Sequence, residues 1–360
     1  MPAWGVLGVR RPGRLPERAD VLVIGGGITG VSLLYWLRGR AQAVLVERDH
    51  LAAGASGRNA GFLLAGVADC YAEAVRRYGR GSAGETWAFT AETHDLLAEA
   101  LQGQEVGYRR AGSQLLPASP DEAADLAASA ELLREDGFEV SWDGERLLNP
   151  RDGELDPVRA VSALAGMAPA GAIREGVRVE ALEASPSGVR VFAGQDECLA
   201  GAVVLATNAY TPLLLPEVRI SPIRAQMLGT GPEPRRLVDR PAYSDRGFCY
   251  WRQLPDGRLL AGGFRHHALE EEVGYEAVTT TRIQGLLERE VRRLGARAPI
   301  ANRWAGIMGF TETELPLMGP VAGRPGVWLC GGYSGHGMGF AFQCARILAD
   351  RLSGRSADLR

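Results

Sequence analysis

The sequence predicts a mixed α/β (α+β) fold in which a parallel-sheet domain is interleaved with a second, antiparallel-sheet domain. Three observations predict it. A β-branched run, a glycine cluster and an apolar helix follow one another at Asp20–Arg38. A second strand–glycine-loop–helix succession occurs at Val327–Leu352. Between them, residues 219–265 alternate strand and turn.

The first element is Asp20-Val-Leu-Val-Ile24, a short apolar run of the kind buried on both faces. Gly25-Gly26-Gly27-Ile28-Thr29-Gly30 follows at once, then Val31–Arg38, apolar all round and closed by Gly39. Ala43-Val-Leu-Val-Glu47 is the next strand, and it ends in an acid. Gly25, Gly27 and Gly30 stand in G-x-G-x-x-G spacing, with Glu47 about 20 residues on. The first glycine permits a tight turn, the second lets a pyrophosphate approach the backbone, and the third lets helix and strand pack closely. The helix start offers free N–H groups and a positive dipole end to phosphates. Glu47 can accept from both ribose hydroxyls and would repel a 2′-phosphate. This is a Rossmann-like FAD/NAD(P)-binding pattern, and it favours the ADP-ribose of FAD or NAD over NADP.

Gly54-Ala-Ser-Gly-Arg-Asn-Ala-Gly61 is too small and polar to build core. Its small residues let backbone hug a planar ligand, with Ser56, Arg58 and Asn59 as hydrogen-bonding tips. Residues 69–103 read as helices, Tyr108–Pro117 as a strand edge, and Ser119–Asp136 as a helix capped by serine with proline behind it. Val158–Ala168 is a small-residue helix, and Ile173–Val179 and Val189–Phe192 are short strands. Ala202–Thr207 is another buried strand; Thr207 and Asn208, at its carboxyl end, point toward a ligand site. Phe248–Leu254 and Arg258–Gly263, joined at Pro255-Asp-Gly257, form a hairpin pattern. Thr279–Leu294 is an amphipathic surface helix. Val327–Gly332 is a strand, Tyr333–Gly339 a second glycine loop, and Phe340–Leu352 the last helix.

The 360 residues suffice for two domains, and 46% apolar with 23% charged residues describes a globular protein. A net charge of −3 argues against nonspecific nucleic-acid or membrane-surface binding. All 40 basic residues are arginine, so lysine chemistry is excluded. The five cysteines lack metal-ligand or redox spacing, so no metal site is expected and the compartment reads as reducing and cytoplasmic. Arg10-Arg11 does not make a twin-arginine signal, because Glu17 and Asp20 intervene before the apolar run. Residues 1–17 are expected to form a loosely ordered arm.

Taken in order, these motifs resemble the FAD-dependent amine and amino-acid oxidoreductases of the D-amino-acid oxidase superfamily. The sarcosine oxidase, glycine oxidase and γ-glutamylputrescine oxidase branch is the nearest in pattern. The resemblance rests on Gly25–Gly30 with Glu47, Gly54–Asn59, Val203–Thr211, Tyr250–Gly257, Trp304-Ala-Gly306 and Gly332–Gly337, and runs from about residue 18 to 355. It implies a discontinuous FAD-binding domain (18–83, 151–223 and 303–360) and a substrate domain (84–150 and 224–302). It implies cofactor contacts from Gly25, Gly27, Ile28, Thr29 and Gly30, from Glu47 and Arg48, and from Ala55, Ser56, Arg58, Asn59, Ala60 and Gly61. It adds Val177 beside adenine, Thr207, Asn208 and Gly306, then Gly332, Gly335, His336, Gly337 and Met338 near the flavin. The expected reaction is C–N oxidation: hydride passes from the α-carbon of a small-molecule amine to flavin N5, and the imine hydrolyses.

Tyr250, His336 and Met308 are the candidate catalytic-site residues. Arg252 and Arg265 are candidate cations close to Tyr250, although arginines in such positions are expected on the surface. In glycine and D-amino-acid oxidases an arginine binds the substrate carboxylate where Met308 stands here, and sarcosine oxidase uses a lysine where Gly339 stands. A larger amine, or an acid gripped elsewhere, is therefore favoured. No cysteine lies in the Met308 segment, so FAD is expected to be noncovalent. The oxygen-activating lysine of sarcosine oxidases falls near Leu260, so either O2 or another electron acceptor fits. Two alternatives stay open: an FAD-dependent dehydrogenase of a hydroxy acid or polyol phosphate, supported only by Arg235-Arg236, and a noncatalytic flavin-binding protein.

Overall fold

The βαβ unit is formed by β1 (Arg18–Ile24), α1 (Ile28–Leu37) and β2 (Ala43–Glu47) in a computed structural model that describes residues 2–5 and 10–354. β1 runs parallel to β2, with Val21 opposite Ala43, and on its other side parallel to Asp196–Leu205, with Val21 opposite Ala202. Ile173–Glu175 and Val327–Gly331 extend the parallel sheet, and Leu317–Pro320 closes one edge antiparallel. Strands buried on both faces have no need of alternation, which is why they read as unbroken apolar runs. The composition of α1 has the same cause. It lies between this sheet and the last helix, Gly337–Leu352, so Leu33, Leu34 and Leu37 are at most 1% exposed.

The second sheet also has eight strands and is antiparallel except where Ala242–Ser244 runs parallel to Ser113–Leu116. The expected hairpin is present as Cys249–Gln253 and Arg258–Gly263, with Trp251 opposite Ala261. One long strand, Ile300–Phe310, was not expected. It pairs along Ser221–Pro232, with Met227 opposite Trp304. Gly306 and Gly309 interrupt its side-chain pattern, and a glycine inside a strand marks a close approach by other groups. A Cβ on Gly306 would lie 2.9 Å from the Arg58 Cβ, and one on Gly309 would lie 2.6 Å from Asn208 Oδ1. Thr281–Arg293 covers the sheet with Ile283, Leu287 and Val291.

The N-terminal arm corrects the sequence reading. Among its described residues, Trp4 Nε1 donates to the Asn59 carbonyl at 2.8 Å and Ala3 O accepts from Arg258 Nη1 at 2.8 Å. Leu15 is buried, and Gly13 N donates to Glu175 O at 3.1 Å. The arm is thus part of the packed structure; positions 1 and 6–9 lie outside the described residues. Among the described residues no helix is long and apolar enough to cross a membrane, and no cluster of three or more His, Cys, Asp or Glu could hold a metal ion.

Candidate active site

A cavity of about 1020 Å³ runs from the carboxyl ends of the parallel strands to the face of the antiparallel sheet. Nearly all the residues singled out by sequence line it, including Gly25, Gly27, Glu47, Ser56, Val177, Thr207, Tyr250, Met308 and His336. Gly30, Gly61 and Gly332 do not. They shape the wall from behind: a Cβ on Gly30 would lie 2.0 Å from Gly25 O, and one on Gly61 would lie 2.2 Å from Leu155 O. Gly332, at φ +75°, donates its N–H to Asn208 Oδ1 at 2.8 Å.

At the parallel-sheet end, Gly26 N and Asp49 N donate to the two oxygens of Glu47 at 2.7 and 2.9 Å. Burial raises the carboxyl's pKa, and these two donors oppose that. Each oxygen keeps a free lone pair to accept a further donor. The loop at 54–61 behaves differently from expectation. Arg58 donates to Ala53 O and Ala305 O, both at 2.9 Å. Asn59 donates to Ala55 O and Ser56 O and accepts from Gly61 N. Ser56 Oγ accepts from Ile28 N at 2.9 Å. These hydrogen bonds tie the loop to itself, to the start of α1 and to the second sheet, while Ser56, Arg58 and Asn59 still line the cavity.

The other end is walled by Tyr243, Phe248, Tyr250, Met308 and Phe310. Tyr250 lies 5.8 Å from Tyr243 and 6.2 Å from Phe62, centroid to centroid. Burial pushes both cavity phenols, Tyr243 and Tyr250, up, so they stay protonated. His336 sits at the start of the last helix with its ring 5.9 Å from Tyr243. Both of its ring nitrogens are out of solvent's reach and without a hydrogen-bond partner among the described residues. Desolvation holds this imidazole down to about 4, opposed by the Ser334 backbone, so it is neutral near pH 7.

The two arginines near Tyr250 part company. Arg252 is 2% exposed, faces Glu154 at 3.0 Å and donates to the carbonyls of Ala60, Gly61 and Leu155. It is a buried brace, which corrects the surface expectation. Arg265 is half-buried and lines the cavity. The sequence carried no pattern that marked Tyr243, Phe248 or Phe310 as cavity residues. A charged or aromatic residue in an alternating strand region reads the same whichever face it occupies.

A long cavity with an acid at the end of β2, backbone bare of side chain at Gly27 and ring nitrogens without hydrogen bonds among the described residues at its far end fits an extended dinucleotide. Its walls and the βαβ unit define a dinucleotide-binding protein. The model of the DAO family, described as FAD dependent oxidoreductase, matches residues 20–351, and the chain belongs to that family. Its cofactor is FAD, and the resemblance read from the sequence holds. The chain is 27% identical to a probable oxidoreductase OrdL of Rhizobium meliloti, over 95% of this chain and 85% of that protein. It is 26% identical to the γ-glutamylputrescine oxidoreductase of Escherichia coli, over 93% and 84%. In fold it is similar to the glycine oxidase of Geobacillus kaustophilus, with a TM-score of 0.81 at 20% identity over 96% of this chain and 97% of that one.

Proposed function

We propose that this oxidoreductase oxidises a C–N bond of a small amine or amino acid, with noncovalently held FAD. The observation that carries the reading is continuity. The Gly27–Glu47 end and the Tyr250–Met308 end line one cavity, so a long cofactor and a small substrate fit in sequence. Similarity to the γ-glutamylputrescine oxidoreductase supports the choice of an amine.

In this reading Glu47 holds the adenosine ribose, and backbone at Gly27 and Ile28 meets the pyrophosphate. The loop at 55–60 follows the cofactor, and 335–338 meet the flavin ring. When bound, FAD supplies the two-electron acceptor for removal of hydride from the substrate carbon. The chain's own part is binding and exclusion of water. Tyr243, Tyr250, Phe248 and Phe310 wall off a low-polarity end that disfavours a charged ammonium and favours the neutral amine. The Tyr250 hydroxyl, kept protonated, can donate to the substrate. Neutral His336 orients and does not carry a proton to or from it. The helix start beside His336 adds positive potential where negative charge develops.

We also propose a division into a cofactor part, 18–83 and 151–223 with the C-terminal residues, and a substrate part, 84–150 and 224–302. Sheet membership supports it with two adjustments: residues 221–223 and 303–310 pair in the second sheet, so the middle cofactor segment ends before Ser221 and the last one starts after Phe310.

Anaerobic mixing of the yellow holoenzyme with a panel of amines and alcohols tests the reaction. Bleaching of the flavin band by amines is the expected result. Bleaching by alcohols alone, or by nothing, overturns it. Peroxide formation in air then separates O2 from another acceptor.

A further inference from the structure

Arg265 has no ion-pair partner among the described residues. Its guanidinium packs on Phe248 and Phe310, 4.5 and 4.9 Å from their ring centroids, inside the cavity. It forms no ion pair and no side-chain hydrogen bond with the described residues. The acid that acts on it, Glu314, pairs with Arg77 at 3.0 Å, and Asp245 on the preceding turn pairs with His266 at 3.0 Å. A cation that loses water without gaining a carboxylate destabilises the fold by itself. Its partner is therefore to be sought in what the cavity binds. The planar fork of an arginine fits a carboxylate through two parallel N–H···O bonds. The rings of Phe248 and Phe310 hold the guanidinium, and cation–π attraction favours that placement. Tyr250, the neighbouring cavity residue, brings a protonated hydroxyl that can donate to the same anion.

We propose that Arg265 anchors a carboxylate of the substrate, so that the enzyme selects amines that also carry a carboxylate. This rests on the reading of the Tyr250 end as the substrate site. Arg265 thus determines specificity, and the other arginine near Tyr250 has no part in it because Arg252 is spent on Glu154 and three carbonyls.

The test uses the FAD-loaded full chain and two kinds of probe. Benzoate and benzamide are titrated under the visible flavin band. Glycine, β-alanine, 4-aminobutanoate and 5-aminopentanoate are compared, each with its carboxamide, for bleaching without oxygen. Benzoate is expected to bind at least tenfold more tightly than benzamide. Arg265→Met is expected to lose about a hundredfold in benzoate affinity with benzamide unchanged, and Arg265→Lys to recover part of the loss. At least one amino acid in the series is expected to be preferred over its carboxamide, through KM more than kcat. FAD content and melting temperature show that each variant is folded. Equal affinity for benzoate and benzamide, or equal loss of both in Arg265→Met, overturns the anchor. So does loss of FAD from both Arg265 variants. Arg265-dependent benzoate binding without bleaching by any amine upholds the anchor and overturns amine oxidation. Bleaching by amines with no preference for carboxylates does the reverse.

Discussion

The Arg252 guanidinium and the Glu154 carboxylate face each other at 3.0 Å, both at most 2% exposed, beneath the loop that lines the cofactor end of the cavity. Arg252 comes from the antiparallel sheet, and its other donors reach the carbonyls of Ala60, Gly61 and Leu155. One side chain therefore ties the second sheet to the glycine loop. Desolvation lowers its pKa to about 10, which leaves it charged at neutral pH. Glu154 keeps a second partner, Arg109 Nε at 2.8 Å, so loss of Arg252 leaves its charge partly compensated but orphans three buried carbonyls, at a cost of about 1–3 kcal/mol. Arg252→Met is expected to lower stability by that order and to weaken retention of FAD. Denaturant unfolding of the apoprotein and FAD titration check both; an unchanged unfolding midpoint would refute the brace.

Gly30 supplies a second stability test. Its Cα faces the Gly25 carbonyl so closely that an added Cβ would lie 2.0 Å from that oxygen and 3.0 Å from Leu45 Cδ1. Backbone on one side and core on the other leave no room to relax. Gly30→Ala is expected to cost about 1–3 kcal/mol or more by overpacking and to displace the start of α1. FAD affinity should fall with it. Gly54→Ala is the control, since a Cβ there meets nothing within 4 Å. Thermal melting and FAD titration of the pair separate crowding from a general loss on mutation.

Asp152 and His94 make opposite contributions to the pH dependence of stability. Their side chains lie 3.9 Å apart, each at most 3% exposed. Burial raises Asp152 to about 7, although Ser113 Oγ and Ala65 N donate to it. Burial lowers His94 to about 3. Between its ordinary value of 3.8 and about 7, Asp152 binds more proton folded than unfolded, so its contribution falls as pH rises. Between about 3 and its ordinary 6.5, His94 binds less proton folded than unfolded, so its contribution rises with pH. His336, lowered to about 4, adds to the rise. The two trends oppose each other below 6.5. Asp152→Asn removes the falling one, so its stability is expected to climb more steeply than the wild type's from pH 4 to 6.5. Urea midpoints across that range measure it. Parallel curves would sink the argument.

The elements visible in the sequence are those whose signal is local. β1, α1, β2 and Glu47 lie within thirty residues, and periodicity, glycine spacing and a terminal acid all point the same way. What stayed hidden depends on partners distant in the chain. Arg252 reads as a surface cation until Glu154 and three carbonyls are brought against it. Ile300–Phe310 does not look like a strand because its glycines answer to Arg58 and Asn208. Ser56, Arg58 and Asn59 were legible as hydrogen-bonding residues of a cavity loop. Composition could not tell whether those bonds point outward to a ligand or back into the loop.

His336 bears on the pH profile of the reaction. A histidine at the start of a cavity helix would ordinarily titrate near 6.5 and place a limb there. Here neither ring nitrogen reaches solvent or makes a well-formed hydrogen bond among the described residues, and the imidazole stays neutral down to about 4. The cavity phenols, Tyr243 and Tyr250, are pushed up, so they too stay neutral across the physiological range. None of these three side chains titrates between pH 5 and 9, so the substrate amine, which must be neutral to react, is expected to set the acid limb there. The acid limb of kcat for saturating amine should then move with the amine's own pKa when amines of different basicity are compared. His336→Gln should leave the midpoint of that limb in place even if it lowers the rate. A limb fixed near 6.5 for every amine, and abolished in His336→Gln, would make His336 the titrating base and overturn its assignment as a neutral positioning residue.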